Sequence, residues 1–118
     1  MAISFELKPR ILRNDAIALG PGKADLLDAI AQTGSISAAA RAMNMSYRRA
    51  WLLVDAMNRS FREPLVATLA GGKKGGGAKV TDAGHAVLAL YRTLQQKARA
   101  AVRHESAQLE AMLLPSGS

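Results

Sequence analysis

The sequence predicts a mainly α-helical fold with a small β wing and a long C-terminal helix, on three observations. Residues 34–60 read GSISAAARAMNMSYRRAWLLVDAMNRS, two helical patterns separated by one short break. A glycine-rich basic run, GGKKGGG at Gly71–Gly77, lies between two short apolar stretches. From Asp82 an apolar stripe at helical spacing then continues to about Leu114, a helix of roughly 45 Å at 1.5 Å per residue. A helix pair followed by two strands around a basic loop describes a winged helix-turn-helix. The division this predicts is a nucleic-acid-binding unit over 1–81 and a long dimerisation helix with its tail over 82–118.

At the N-terminus Ile3, Phe5 and Leu7 alternate with Ser4 and Glu6, which predicts a half-buried strand over Ile3 to Leu7. Pro9 interrupts it, and Ile11 to Arg13 continue extended at an edge. Turn formers occupy Asn14 to Pro21, with Ala16 to Leu19 able to pair briefly as a strand. The first helix is expected from Gly22 to Thr33, with Leu26, Leu27, Ile30 and Ala31 as its core stripe. Asp25 and Asp28 suit its positive N-terminal end, and Gly34 suits its C-terminal cap.

Ser35 or Ser37 caps the second helix, Ile36 to Met43, whose Ala38, Ala39, Ala40 and Ala42 are strong helix formers. Asn44 tolerates the left-handed conformation of a tight inter-helix turn. Ser46 then caps a third helix from Tyr47 to Ser60, on which Ala50, Leu53, Val54 and Met57 recur at i, i+3, i+4, i+7. Its first turn carries Tyr47, Arg48 and Arg49, as a major-groove recognition helix requires. Pro64 prevents that helix from continuing. Leu65 to Leu69 and Ala78 to Thr81 are the wing strands, and Thr81 caps the long helix. The stripe of that helix holds Val87, Leu90, Tyr91, Leu94, Ala98, Ala101 and Val102, then Leu109, Met112 and Leu113. A domain this small cannot cover all of it, so the outer half calls for a second copy, although Arg103-His104-Glu105 breaks a strict heptad.

Composition bounds the function. The 118 residues hold 16 Lys and Arg against nine Asp and Glu, a net charge of +7 that favours a polyanionic partner. With no cysteine, disulfides and thiolate metal sites are excluded. His85 and His104 stand apart from any acid cluster, so no metal is expected, and no serine has a histidine at a catalytic spacing, so no enzyme is expected. A P-loop is excluded as well, because no Gly-Lys-Ser/Thr closes the glycine run. MAISFELKPR does not read as a signal peptide and no apolar run approaches a membrane span, so no membrane partner is expected and a cytoplasmic setting is.

The residues expected to touch nucleic acid follow from these elements. Tyr47, Arg48 and Arg49 enter the groove, where arginine donates two hydrogen bonds to guanine. Ser35, Ser37 and Ser46 combine capping with phosphate contact, and Lys73, Lys74 and Lys79 lie along the backbone. Trp51 either packs in part beneath the wing, the preferred reading, or sets its indole N–H on a phosphate. Arg41, Arg59 and Arg62 are expected to be solvated or paired with Asp55 or Glu63, and Met43, Met45 and Met57 to fill the core.

The stretch from about Leu26 to Gln95 resembles the N-terminal winged-helix domain of the molybdate-responsive ModE regulator family, and more distantly the LysR-type DNA-binding domain. Ser-Ile-Ser-Ala-Ala-Ala-Arg-Ala from Ser35, Met45-Ser46-Tyr47 followed by Ala50-Trp51, Asp55 to Asn58, Glu63 to Val66 and the glycine–lysine wing carry the resemblance. It implies a homodimer, joined through the first segment and the long helix, on palindromic promoter DNA, with transcription machinery as a further partner. Members that sense molybdate carry C-terminal oxyanion-binding domains, and this sequence stops at Ser118. The expectation is therefore a stand-alone DNA-binding regulator without a cofactor, molybdate or another oxyanion being implied by resemblance alone. The rival from another class is an effector-binding or protein-interaction module that reuses the fold.

Overall fold

In the computed structural model, residues 3–69 and 77–115 are described. Two short strands, β1 (Ile11–Arg13) and β2 (Ala16–Leu19), precede three helices, α1 (Pro21–Thr33), α2 (Ile36–Ala42) and α3 (Tyr47–Ser60). The strands β3 (Val66–Thr68) and β4 (Ala78–Val80) follow, then α4 (Asp82–Ala101) and α5 (Arg103–Ala111). Helices dominate and β3–β4 form the small wing that the sequence predicts, while β1–β2 form a second antiparallel pair.

The core lies where α1, α2 and α3 meet. Leu26, Leu27 and Ile30 from α1, Ala39 and Ala40 from α2, and Ala50, Val54 and Met57 from α3 are all buried. Small residues on α2 let its neighbours approach closely, which is what its alanine content provides. Leu65, Val66, Ala78 and Val80 close this core from the wing side, and Tyr91 closes it from α4. Methionines divide: Met57 is enclosed, while Met43 and Met45 pack half-buried against the core's edge.

Local chemistry sets the joints. Gly34 ends α1 at φ 73°, and its amide donates to the Ile30 carbonyl at 2.8 Å. Asn44 takes φ 56° in the turn between α2 and α3. Ser46 Oγ accepts from the Arg49 amide at 3.0 Å, capping α3. Ser35, rather than Ser37, caps α2: its Oγ accepts from the Ala38 amide at 3.1 Å, while Ser37 Oγ accepts from the Arg41 guanidinium at 3.0 Å. The wing pairs Val66 with Val80, Ala67 with Lys79 and Thr68 with Ala78. Asn58 ties it to α3, its Oδ1 accepting from the Leu65 and Val66 amides at 2.8 and 3.1 Å and its Nδ2 donating to the Val66 carbonyl at 3.0 Å.

Several expectations are corrected. Ile3 to Leu7 form no strand, because nothing among the described residues offers them a ladder partner, and Ile3 and Phe5 stay exposed. Pairing occurs later, between β1 and β2, around Asn14 and Asp15 at φ 51° and 66°, the two left-handed positions of a primed hairpin turn. Helix α1 begins at Pro21, whose fixed φ suits a first helical position, and Ala24 takes the core place expected of Ala31, which is exposed. Asp25 lies beyond the first turn and pairs with Arg92 at 2.8 Å, so a cross-helix ion pair holds it. The long helix is broken: Val102, at φ −109° and ψ 14°, separates α4 from α5. A β-branched residue favours the helix less than its neighbours, and α5 beyond it buries none of its residues.

Candidate nucleic-acid interface

Three clefts are lined by residues of the helix pair and its neighbours. The first, about 280 Å³, lies between the start of α2 and the base of the wing, and brings Ser35, Ser37 and Tyr47 beside Thr68 and Leu69. The Ala78 amide donates to the Gly34 carbonyl at 2.9 Å, which fastens the wing to the α1–α2 turn and fixes the width of this cleft. The second, about 260 Å³, runs along the first turns of α3 and is lined by Ser46, Arg48, Arg49, Leu52 and Leu53. The third, about 370 Å³, is lined by Arg10, Lys23 and Arg49 over the first turn of α1.

The exposed tip of α3 follows from its own periodicity. Ala50, Val54 and Met57 face the core, which turns Arg48 and Arg49 outward, while Tyr47 follows the buried stripe but stands at the first position of the helix, beyond the core, and all three are exposed. Successive helical residues turn by about 100°, so Tyr47 and Arg49 point to nearly opposite flanks of α3, with Arg48 between them. Among the described residues Arg48 and Arg49 make no ion pair, whereas Arg59 pairs with Asp55 at 3.1 Å. The two arginines therefore present charge to solvent, and no acidic residue lines either cleft that they reach.

Of the remaining sequence-predicted residues, Trp51 is 42% exposed and lines none of these clefts. Lys79 projects outward from β4 between buried Ala78 and Val80. Lys73 and Lys74 lie outside the described residues. Leu52 was missed: it is 56% exposed one turn beyond Arg48 on the same face, where an apolar group would be unexplained unless it meets something. Arg10 and Lys23 were missed too, since nothing in the local pattern links an extended segment, a helix start and Arg49. Among the described residues no group of three His, Asp or Glu can hold a metal ion, and no helix is long and apolar enough to cross a membrane.

Comparison with known proteins covers this same region. A profile described as bacterial regulatory helix-turn-helix protein, lysR family, matches residues 23–85, from α1 through the wing to the first turn of α4. The chain is 41% identical over 92 residues to the molybdenum transport protein ModE of Azotobacter vinelandii, covering 78% of this chain and 34% of that protein. It is 44% identical over 85 residues to the molybdenum-pterin-binding protein MopB of Rhodobacter capsulatus, covering 72% and 32%. To the transcriptional regulator ModE of Yersinia pestis it is 40% identical over 96 residues, covering 79% and 36%. It thus spans about a third of the length of these relatives. Among solved structures, the full-length LTTR LysG from Corynebacterium glutamicum with bound effector Arg superposes with a TM-score of 0.57 at 23% identity, over 81% of this chain and 31% of that one, a likeness of fold. With its helix pair, capped recognition helix and wing inside the matched stretch, the chain belongs to the lysR family of bacterial regulatory helix-turn-helix proteins.

Proposed function

We propose that this regulatory helix-turn-helix chain binds a pseudo-palindromic promoter site as a homodimer, each protomer placing the N-terminal turn of α3 in a major groove. The observation that carries this is the exposed, acid-free tip of α3, with Tyr47, Arg48 and Arg49 outward while the opposite face is locked in the core. In this reading Arg48 reads a base edge, Arg49 turns towards the groove's far wall, Leu52 meets a thymine methyl, and Ser46 sits at the groove's lip. Ser35 and Ser37 hold the backbone beside the wing, where Lys73, Lys74 and Lys79 add charge, and Trp51 borders the same surface. Residues 1–81 are the DNA-binding unit, and 82–118 serve mainly to pair protomers.

Support for pairing comes from the surface that one protomer leaves open. Leu90 is 71% exposed on α4, and Leu109 and Met112 are 67% and 83% exposed on α5, more apolar surface than a soluble helix pair usually presents alone. A two-fold dimer would cover it and would set two half-sites one or more helical turns apart.

The relatives' names point to molybdenum and molybdenum-pterin. No charged side chain among the described residues is buried, which supports the reading that this segment holds no enclosed oxyanion. In this reading the segment itself uses no cofactor, works in the cytoplasm and recruits or blocks transcription machinery. Millimolar molybdate is expected to leave its duplex affinity unchanged in a mobility-shift titration.

Arg48→Ala with Arg49→Ala tests the groove assignment. The double variant is expected to keep its fold and to bind a selected site no better than an unrelated duplex, a loss of about 1–3 kcal/mol of discrimination per arginine–guanine pair. Retained preference, measured by competition, would refute the assignment. Lys73→Ala with Lys74→Ala should instead weaken all duplexes alike and flatten the dependence on salt.

A further inference from the structure

We propose that the cleft formed by Arg10, Lys23 and Arg49 seats a backbone phosphate of the bound duplex, on the opposite side of α3 from the wing. The inference rests on the DNA reading above and adds a second wall of contact to it. Three cations line this cleft and no carboxylate does. Asp25 on α1 pairs with Arg92 at 2.8 Å and does not line this cleft. Among the described residues neither Arg10 nor Arg49 makes an ion pair or a side-chain hydrogen bond. Convergent positive charge without a counter-charge in a concave site attracts a polyanion more strongly than the same charges spread over a surface.

The cleft is also built. Lys23 Nζ donates to the Ile17 carbonyl, so the hairpin fixes the ammonium while two of its three N–H groups stay free. Burial there pushes the Lys23 pKa below its ordinary value, a penalty on the charged form that a bound anion would relieve. Arg10 lies along Gly20, whose Cα side faces the Arg10 Cγ closely enough that a Cβ there would sit 3.5 Å from it.

Placement selects the phosphate of a duplex over a free ion. Arg49 and Leu53 line both this cleft and the one along the tip of α3, so the two are continuous. Tyr47 faces the wing flank and Arg49 the opposite one, a consequence of the helical turn between them. A helix lying in a major groove about 12 Å wide has sugar-phosphate walls on both flanks. The wing accounts for one wall, and this cleft stands at the other.

The test uses the full chain and the double variant Arg10→Gln with Lys23→Gln, which removes both charges and keeps both side chains polar. Affinity is measured from about 50 to 200 mM salt for a site selected by the parent and for an unrelated duplex. The expected result is an equal fold-loss on both duplexes, with the salt slope shallower by about one for each phosphate contact removed. Parent-like affinity and slope would overturn the proposal, as would a loss confined to the selected site, which would mean base reading. Saturable binding of inorganic phosphate or molybdate to the parent, lost in the variant while duplex binding is kept, would make this a small-oxyanion site and overturn it equally. Should the double variant melt early, Arg10→Gln alone, altered at an exposed side chain, is read in the same assay. A parent that binds no duplex in a salt-dependent way would instead fail the DNA reading itself, which separates the two failures.

Discussion

Tyr91 joins the two ends of the molecule through one hydroxyl. Its ring is 2% exposed, and its Oη donates to the Pro9 carbonyl at 2.6 Å, pinning the N-terminal segment to α4. Burial raises its pKa above the ordinary 10.0, with Arg92 and Arg10 opposing and Asp25 reinforcing the shift. A raised folded pKa means that the stabilisation is complete below about pH 10 and is lost as pH climbs through the folded value. Tyr91→Phe should cost about 0.5–1.5 kcal/mol at neutral pH, the usual worth of such a bond, and should lack the alkaline loss seen in the parent. Urea melts at pH 7 and above pH 10 check both halves; equal alkaline losses in the two proteins would remove the hydroxyl from the account. Neither the contact nor its partner was legible in the sequence, because 82 residues separate them. Ser46 was legible, since an N-cap acts within one turn.

Between elements, the junction of α4 with the wing is the tightest contact. A Cβ on Gly84 would meet the Leu65 carbonyl oxygen at 2.2 Å and Val80 Cγ1 at 2.6 Å, so the helix approaches β3 and β4 closely enough to require glycine. Thr81 completes the joint, its Oγ1 donating to the Pro64 carbonyl at 2.7 Å while accepting from the Gly84 amide at 3.0 Å. Gly84→Ala should therefore destabilise by about 1–3 kcal/mol, overpacking outweighing the gain of roughly 1 kcal/mol in helix propensity. A variant as stable as the parent in thermal unfolding would contradict that joint. Asn58 shows why such contacts escape a sequence reading. It lies on a half-buried position of a well-patterned helix, and only the return of the chain after Pro64 supplies the two amides and the carbonyl it binds.

At the scale of the whole molecule, the apolar surface is divided unevenly. The helix-turn-helix end is closed and cationic, while α4 and α5 carry Leu90, Leu94 and Leu109 in the open. A cleft of about 170 Å³ beside Leu90 and Leu94 is lined by Ile11, Leu19, Phe61 and Val87, so β1–β2 and α4 present one continuous apolar face. If the proposed dimer forms through this face, Leu90→Asp with Leu94→Asp should leave a monomer with an intact fold, because both side chains are exposed within one chain. Sedimentation velocity at micromolar concentration reads this, and an undisturbed dimer would locate the interface elsewhere. The monomeric variant is expected to lose the spacing dependence of a two-half-site operator while each half-site still binds weakly.

Periodicity and capping act over one or two turns, and so the sequence by itself determined the helix pair, the left-handed Asn44 turn, the exposed tip of α3 and the short wing strands. The family resemblance drew on the same local runs. Tertiary structure alone decided which strands pair at the N-terminus, where the long helix breaks, and which cations converge. Arg10, Lys23 and Arg49 come from three separate elements, and no local pattern encodes their meeting; packing of the hairpin against α1 and α3 creates it.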